Sequence, residues 1–211
     1  MTNVETTDLP DSFTIQLPPD WVEMDPNPAG RVERIEAYLD QLAADADPPL
    51  EDEARRMLRG MLRSGLAQAW DVGVVMASSY FDIDYPEDDP EGEPVFLMAM
   101  CNLALLGTGD HGIPSNIVEE AFSTSDQAQP DRSVTTIDLP SGTAVKLRET
   151  REIQPEGWQA PGTFVVSQYY IPAGTAAGLA VLNFMTPSLE LSETFDMLFD
   201  VVAETFQWVW E

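Results

Sequence analysis

The chain has one lysine, one cysteine and one histidine: Lys146, Cys101 and His111. A single cysteine excludes an intramolecular disulfide and a cysteine-based zinc site. A single histidine leaves little room for histidine-dependent hydrolysis, because His111 would have to stand beside a nucleophile and an acid. No G-x-S-x-G motif occurs, and Cys101 lies in an apolar run, where it reads as a small core residue. Long hydrophobic stretches are also missing. The longest, Val95 to Leu106, has 12 residues, short of the roughly 18 that a membrane span requires. The first ten residues carry Glu5 and Asp8 without the basic and apolar regions of a secretory signal, so a cytoplasmic protein is expected.

Basic side chains of any kind are scarce. Ten Lys and Arg face 37 Asp and Glu, for a formal net charge of -27. That excess repels phosphate backbones and anionic membranes, so neither nucleic acid nor membrane is expected as a partner. The lysine shortage fits adaptation to high salt or, more simply, a GC-rich genome. Hydrophobic residues make up 44%, an ordinary globular share, so the charge surrounds a real core. A chain of 211 residues can bury roughly 70% of its unfolded surface. No repeat or linker divides it, and a single domain over 1–211 is expected, with residues 1–11 disordered.

Phe13, Ile15 and Leu17 alternate with polar residues, the period of a half-buried strand. Helices are predicted from Arg31 to Ala44 and from Leu50 to Ala69. The second presents Arg55, Arg59 and Arg63 on its polar face, and offers i,i+4 pairs from Glu51 to Arg55 and from Asp52 to Arg56. Strands are predicted over Val72–Phe81, Val95–Leu106, Val134–Leu139, Ala144–Arg151, Phe164–Ile171 and Leu179–Phe184, with a short helix near Ile117–Phe122. Ser141-Gly142 marks a hairpin turn. Val95–Leu106, apolar on both faces, reads as a central strand. Leu191, Phe195, Leu198, Phe199, Val202, Phe206 and Val209 recur at helical spacing and predict a long C-terminal helix packed on the sheet. The expected fold class is α+β: a twisted antiparallel sheet of about five to seven strands, covered by that helix and the N-terminal helical pair.

The motifs that carry chemistry are few. Gly107 to Gly112 spells G-x-G-x-x-G, but Pro114 interrupts the helix such a loop needs and the strands that follow read as a hairpin. No cofactor is expected. The densest feature is an acidic run with seven carboxylates: Asp82, Asp84, Glu87, Asp88, Asp89, Glu91 and Glu93. Asp82, Asp84, Asp88 and Glu93 fall on an EF-hand register, yet Glu87 stands where the sharp turn needs glycine. A solvated hairpin loop or a docking patch for a basic partner fits better, and no metal is expected. Trp208 and Trp210 end the chain; only one can follow the buried stripe, leaving the other to anchor a partner.

The opening Phe13-Thr-Ile-Gln-Leu-Pro-Pro-Asp-Trp21 resembles the first strand and LP-x-x-W of Mog1/PsbP-like proteins. The close is similar too: a last strand Leu179–Phe184, Thr186-Pro187, then an amphipathic helix with Phe206 and Trp208. The resemblance implies a small α/β/α sandwich that binds partners and does not catalyse. It carries over no functional residue. The expected function is a non-enzymatic, cytoplasmic protein-binding or adaptor module. The acidic run and the terminal tryptophans are its expected contact points, on an unidentified, possibly basic, protein. Two alternatives stand beside it: an acidic inhibitor that mimics nucleic acid, and a hydrolase using a carboxylate pair between sheet and helices.

Overall fold

A computed structural model describes Pro10 and residues 12–45, 50–71, 73–84, 95–107, 131–156, 158–173 and 178–210. Among the described residues, nine strands and three helices follow in chain order. They are β1 (Ser12–Thr14), β2 (Val22–Met24), α1 (Arg31–Asp45), α2 (Asp52–Asp71), β3 (Val74–Asp84), β4 (Val95–Gly107) and β5 (Arg132–Leu139). Then come β6 (Gly142–Ile153), β7 (Gly162–Pro172), β8 (Gly178–Thr186), a 3-10 turn (Leu189–Leu191), α3 (Ser192–Glu204) and β9 (Gln207–Val209). Seven strands form one antiparallel sheet in the order β2-β3-β4-β8-β7-β6-β5, and β1 pairs with β9 in a small second sheet.

The apolar-on-both-faces pattern of β4 has its explanation in this layering. Side chains along a strand alternate between faces. Met98 and Met100 therefore meet the helical pair, while Ala99, Cys101 and Leu103 meet α3. β7 divides the same way, with Phe164 and Val166 toward α1 and α2 and Tyr169 and Ile171 toward α3. On the α3 face, Phe199 stacks on Phe184 with centroids 4.6 Å apart. The Ser141-Gly142 turn is present, and Gly142 takes a φ of 122°, a conformation that side-chain-bearing residues rarely adopt.

Four differences from the sequence reading stand out. The C-terminal helix stops at Glu204. Phe206 is buried, but in a tight turn, and Gln207–Val209 is a strand. Helical spacing extends through Phe206 and Val209 by coincidence; the backbone there instead bonds to β1, from Ser12↔Val209 to Thr14↔Gln207. Accordingly β1 is shorter than the predicted Phe13–Leu17. β2, directly after Trp21, is not foreseen by the sequence pattern. Finally, Arg55 reaches across to Asp40 on α1, not back to Glu51, and Arg56 pairs with Glu53 at 3.0 Å. The stretch predicted as a helix near Ile117–Phe122 lies outside the described residues.

Arg59 joins α2 to α1 by a two-pronged contact, its Nε and Nη2 donating to the two oxygens of Glu36 at 2.6 and 2.9 Å. The hydrogen bond from Arg59 is the main reason the Glu36 carboxyl sits below its ordinary value of 4.5. A carboxyl depressed on folding contributes stability above its unfolded pKa and loses it as pH falls through the lower folded value. Both side chains are about one-third exposed, which keeps the contribution under about 1 kcal/mol. Arg59→Gln is thus expected to destabilise by that amount at pH 7, and to match wild type once pH drops well below 4.5. Urea titrations at both pH values check this; an equal gap at both would refute it.

Candidate functional site: an aromatic cavity beside the acidic hairpin

β3 and β4 pair from Val74↔Ala104 to Asp84↔Val95, which places Asp82 and Asp84, the first two carboxylates of the acidic run, at the end of β3. Asp82 is exposed on β3, and Asp84 closes the strand. Glu87, Asp88, Asp89, Glu91 and Glu93 lie outside the described residues, as do His111 and Thr108 to Gly112 of the glycine motif. Among the described residues no three metal-ligating side chains converge.

Below the hairpin, on the α3 face, is a cavity of about 280 Å³. Pro18, Asp20 and Trp21 come from the segment before β2, Tyr80 and Leu97 from β3 and β4, and Leu191, Thr194, Phe195 and Leu198 from the 3-10 turn and α3. Local rules place each wall. The Pro18-Pro19 pair ends the extended segment, and the Trp21 amide closes a turn onto the Pro18 carbonyl at 3.1 Å. That turn leaves Trp21 buried and near-parallel to Tyr80, with centroids 6.5 Å apart. Tyr80 in turn donates its hydroxyl to Asp82 at 3.2 Å. The cavity is therefore aromatic and aliphatic inside, with Asp20 on its wall and Asp82 one hydrogen bond away.

A second cavity, about 320 Å³, lies on the other face between α2 and the sheet. Met57, Leu58, Met61, Phe81, Met98 and Trp158 line it, and the Trp158 indole donates to the Met57 carbonyl at 3.1 Å.

The densest polar cluster involves the lone lysine. The Lys146 ammonium donates to Asp196 at 2.8 Å and Asp200 at 2.7 Å. Ser167 donates to Asp196 and Tyr169 to Asp200, each at 2.7 Å. Lys146 also lies 5.4 Å from the Tyr169 ring centre. Burial is the largest cause raising the Tyr169 hydroxyl well above its ordinary value, followed by the bond to Asp200 and the two carboxylate charges. The carboxylate pair on α3 is thus engaged in tying the helix to β6 and β7. Cys101 is fully buried, and burial pushes its thiol far up, as for a core residue.

β9 ends at Val209, between Trp208 and Trp210, and the two tryptophans differ in burial. Trp208 packs against the α3-face core, edge-on to Phe206 at 5.1 Å, with its indole donating to the Pro172 carbonyl. Trp210 is 49% exposed. Neither lines the cavity with the hairpin.

The chain matches no protein-family model and no curated protein. Among solved structures it is similar to LpqN, described as involved in cell envelope biogenesis of Mycobacterium tuberculosis. The two are 13% identical with a TM-score of 0.44, over 93% of this chain and 82% of LpqN.

Proposed function

We propose that this protein is a non-enzymatic binding module for a basic protein partner, gripped at the β3–β4 hairpin. The observation that carries the reading is the 280 Å³ aromatic cavity at the base of the acidic run. An apolar hollow with Asp20 on its wall and Asp82 bonded to its Tyr80 offers a partner both a buried anchor and electrostatic steering. No basic residue interrupts residues 82–93 in the sequence. A cytoplasmic setting and the likeness to Mog1/PsbP-like proteins belong to this proposal. Both the seven-stranded antiparallel sheet and the helices on its two faces agree with the layered sandwich that the likeness implies.

The test compares wild type with a variant carrying Asp82→Asn, Asp84→Asn, Glu87→Gln, Asp88→Asn, Asp89→Asn, Glu91→Gln and Glu93→Gln. Both are immobilised, exposed to host lysate, and washed at low salt and at 1 M salt, where the screening length is about 3 Å. Wild type is expected to capture a basic protein that salt releases and that the variant captures at least about tenfold less. Capture indifferent to the substitutions would end this reading.

Among the described residues no helix is long and apolar enough to cross a membrane.

A further inference from the structure

The cavity beside the hairpin has a shape and chemistry that go beyond general attraction for positive charge. Its volume, about 280 Å³, falls just under the roughly 300–1,000 Å³ typical of drug-sized ligand pockets, and suits one long side chain. Its wall combines two elements rarely useful to the same ligand. Leu97, Leu191, Leu198 and Phe195 offer aliphatic and aromatic surface, Trp21 and Tyr80 add two more rings, and Asp20, exposed, is the one acidic residue among the lining residues. A neutral apolar side chain would leave Asp20 without use. A compact, strongly hydrated ammonium would lose water against the rings. A flat, weakly hydrated guanidinium on a three-carbon stem satisfies all three, stacking on aromatic rings, pairing with a carboxylate and laying its methylenes on aliphatic surface.

None of the ten Lys and Arg, all among the described residues, lines the cavity. Arg148 approaches α3 from the β6 side, where it holds Glu193 at 2.8 Å. The positive occupant must therefore come from another molecule.

Resting on the binding reading above, we infer that this cavity receives a single arginine side chain of the partner, discriminating it from lysine. The guanidinium meets Asp20 and the Trp21–Tyr80 wall, and the stem lies along Leu97 and Leu198.

The probe is a capped Gly-Arg-Gly peptide titrated into ¹⁵N-labelled protein, followed at the Trp21 indole resonance. Capped Gly-Lys-Gly and Gly-citrulline-Gly serve as comparisons, citrulline being the neutral near-isostere. The arginine peptide is expected to shift Trp21 saturably. Lysine should bind about threefold or more weakly, and citrulline should give no saturable shift. Trp21→Ala would disturb the core, so the cavity is closed from an exposed position instead. Thr194, exposed on α3, lines it. Thr194→Arg supplies an occupant from the chain itself and should abolish the titration with little change in thermal unfolding. Asp20→Asn, also at an exposed site, should weaken the arginine peptide and narrow its advantage over citrulline.

An unmoved Trp21 resonance, equal shifts from arginine and citrulline, or an unchanged titration in Thr194→Arg would each overturn the inference. Such a failure leaves the hairpin reading standing if the captured partner still depends on the hairpin acids. Conversely, a behaving probe with capture indifferent to those acids would keep the arginine cavity and remove the hairpin.

Discussion

Lys146→Met is expected to lower the unfolding free energy by about 3 kcal/mol, as removal of one partner from a buried ion pair does. Lys146 is only 8% exposed, and its ammonium is the shared partner of Asp196 and Asp200. Methionine has nearly the same shape, so little packing is lost. What remains is two carboxylates one helical turn apart with their cation gone. Asp196 keeps Ser167 and Asp200 keeps Tyr169, but neither donor carries charge. Arg148 pairs with Asp196 only at 3.7 Å, an ion pair without a direct hydrogen bond, and leaves Asp200 without a cation. Asp200, with its side chain 43% exposed, can recover some hydration, which sets the estimate at the low end for buried pairs. Adding Asp196→Asn and Asp200→Asn to Lys146→Met should restore part of the loss, since neutral amides no longer need a cation. Guanidinium denaturation of the three proteins decides the matter. A single-variant loss below about 0.5 kcal/mol would show that the cluster does not clamp α3 to the sheet.

Gly60→Ala is expected to cost a similar amount, and with a sign opposite to the usual rule. Alanine in place of glycine inside a helix normally stabilises by about 0.5–1 kcal/mol. Here a methyl on Gly60 of α2 would run into the Glu156 carbonyl oxygen. That oxygen belongs to backbone, and the backbone is fastened: the Glu156 amide donates to Ser64 at 2.6 Å and the nearby Trp158 indole to the Met57 carbonyl. Admitting the methyl means lifting the β6–β7 connection off α2 and losing those bonds. About 3 kcal/mol is expected, at the upper end for overpacking. Gly65→Ala is the control. Its methyl would meet only the flexible tip of Met100, 2.6 Å away, which can swing aside. A Gly60→Ala protein as stable as wild type in urea would refute the tight fastening of this connection.

Both effects show where sequence reasoning reaches and where it stops. β4 was legible as a central strand because burial on two faces leaves an uninterrupted apolar run. The β5–β6 hairpin was legible because its turn needs the backbone freedom of Gly142. Both signals are local. β9 was not legible: its partner β1 lies at the far end of the chain, and helical periodicity continues through Phe206 and Val209 with nothing to contradict it. The scarcity of lysine is plain in the composition, but not that Lys146 sits under α3, since its partners are 50 and 54 positions away. The acidic run could be read as a hairpin tip. The cavity at its base could not, because Trp21, Tyr80, Leu97 and Phe195 come from four separate segments that only the finished sheet brings together.

The burial of Lys146 has a practical consequence. It is the chain's only side-chain amine, and the native fold closes it off beneath α3. An acylating reagent that modifies this position has therefore caught a molecule whose α3 has lifted from the sheet. Mass-spectrometric counting of acylated Lys146 over time would turn one residue into a clock for that opening, with no label built into the protein beforehand.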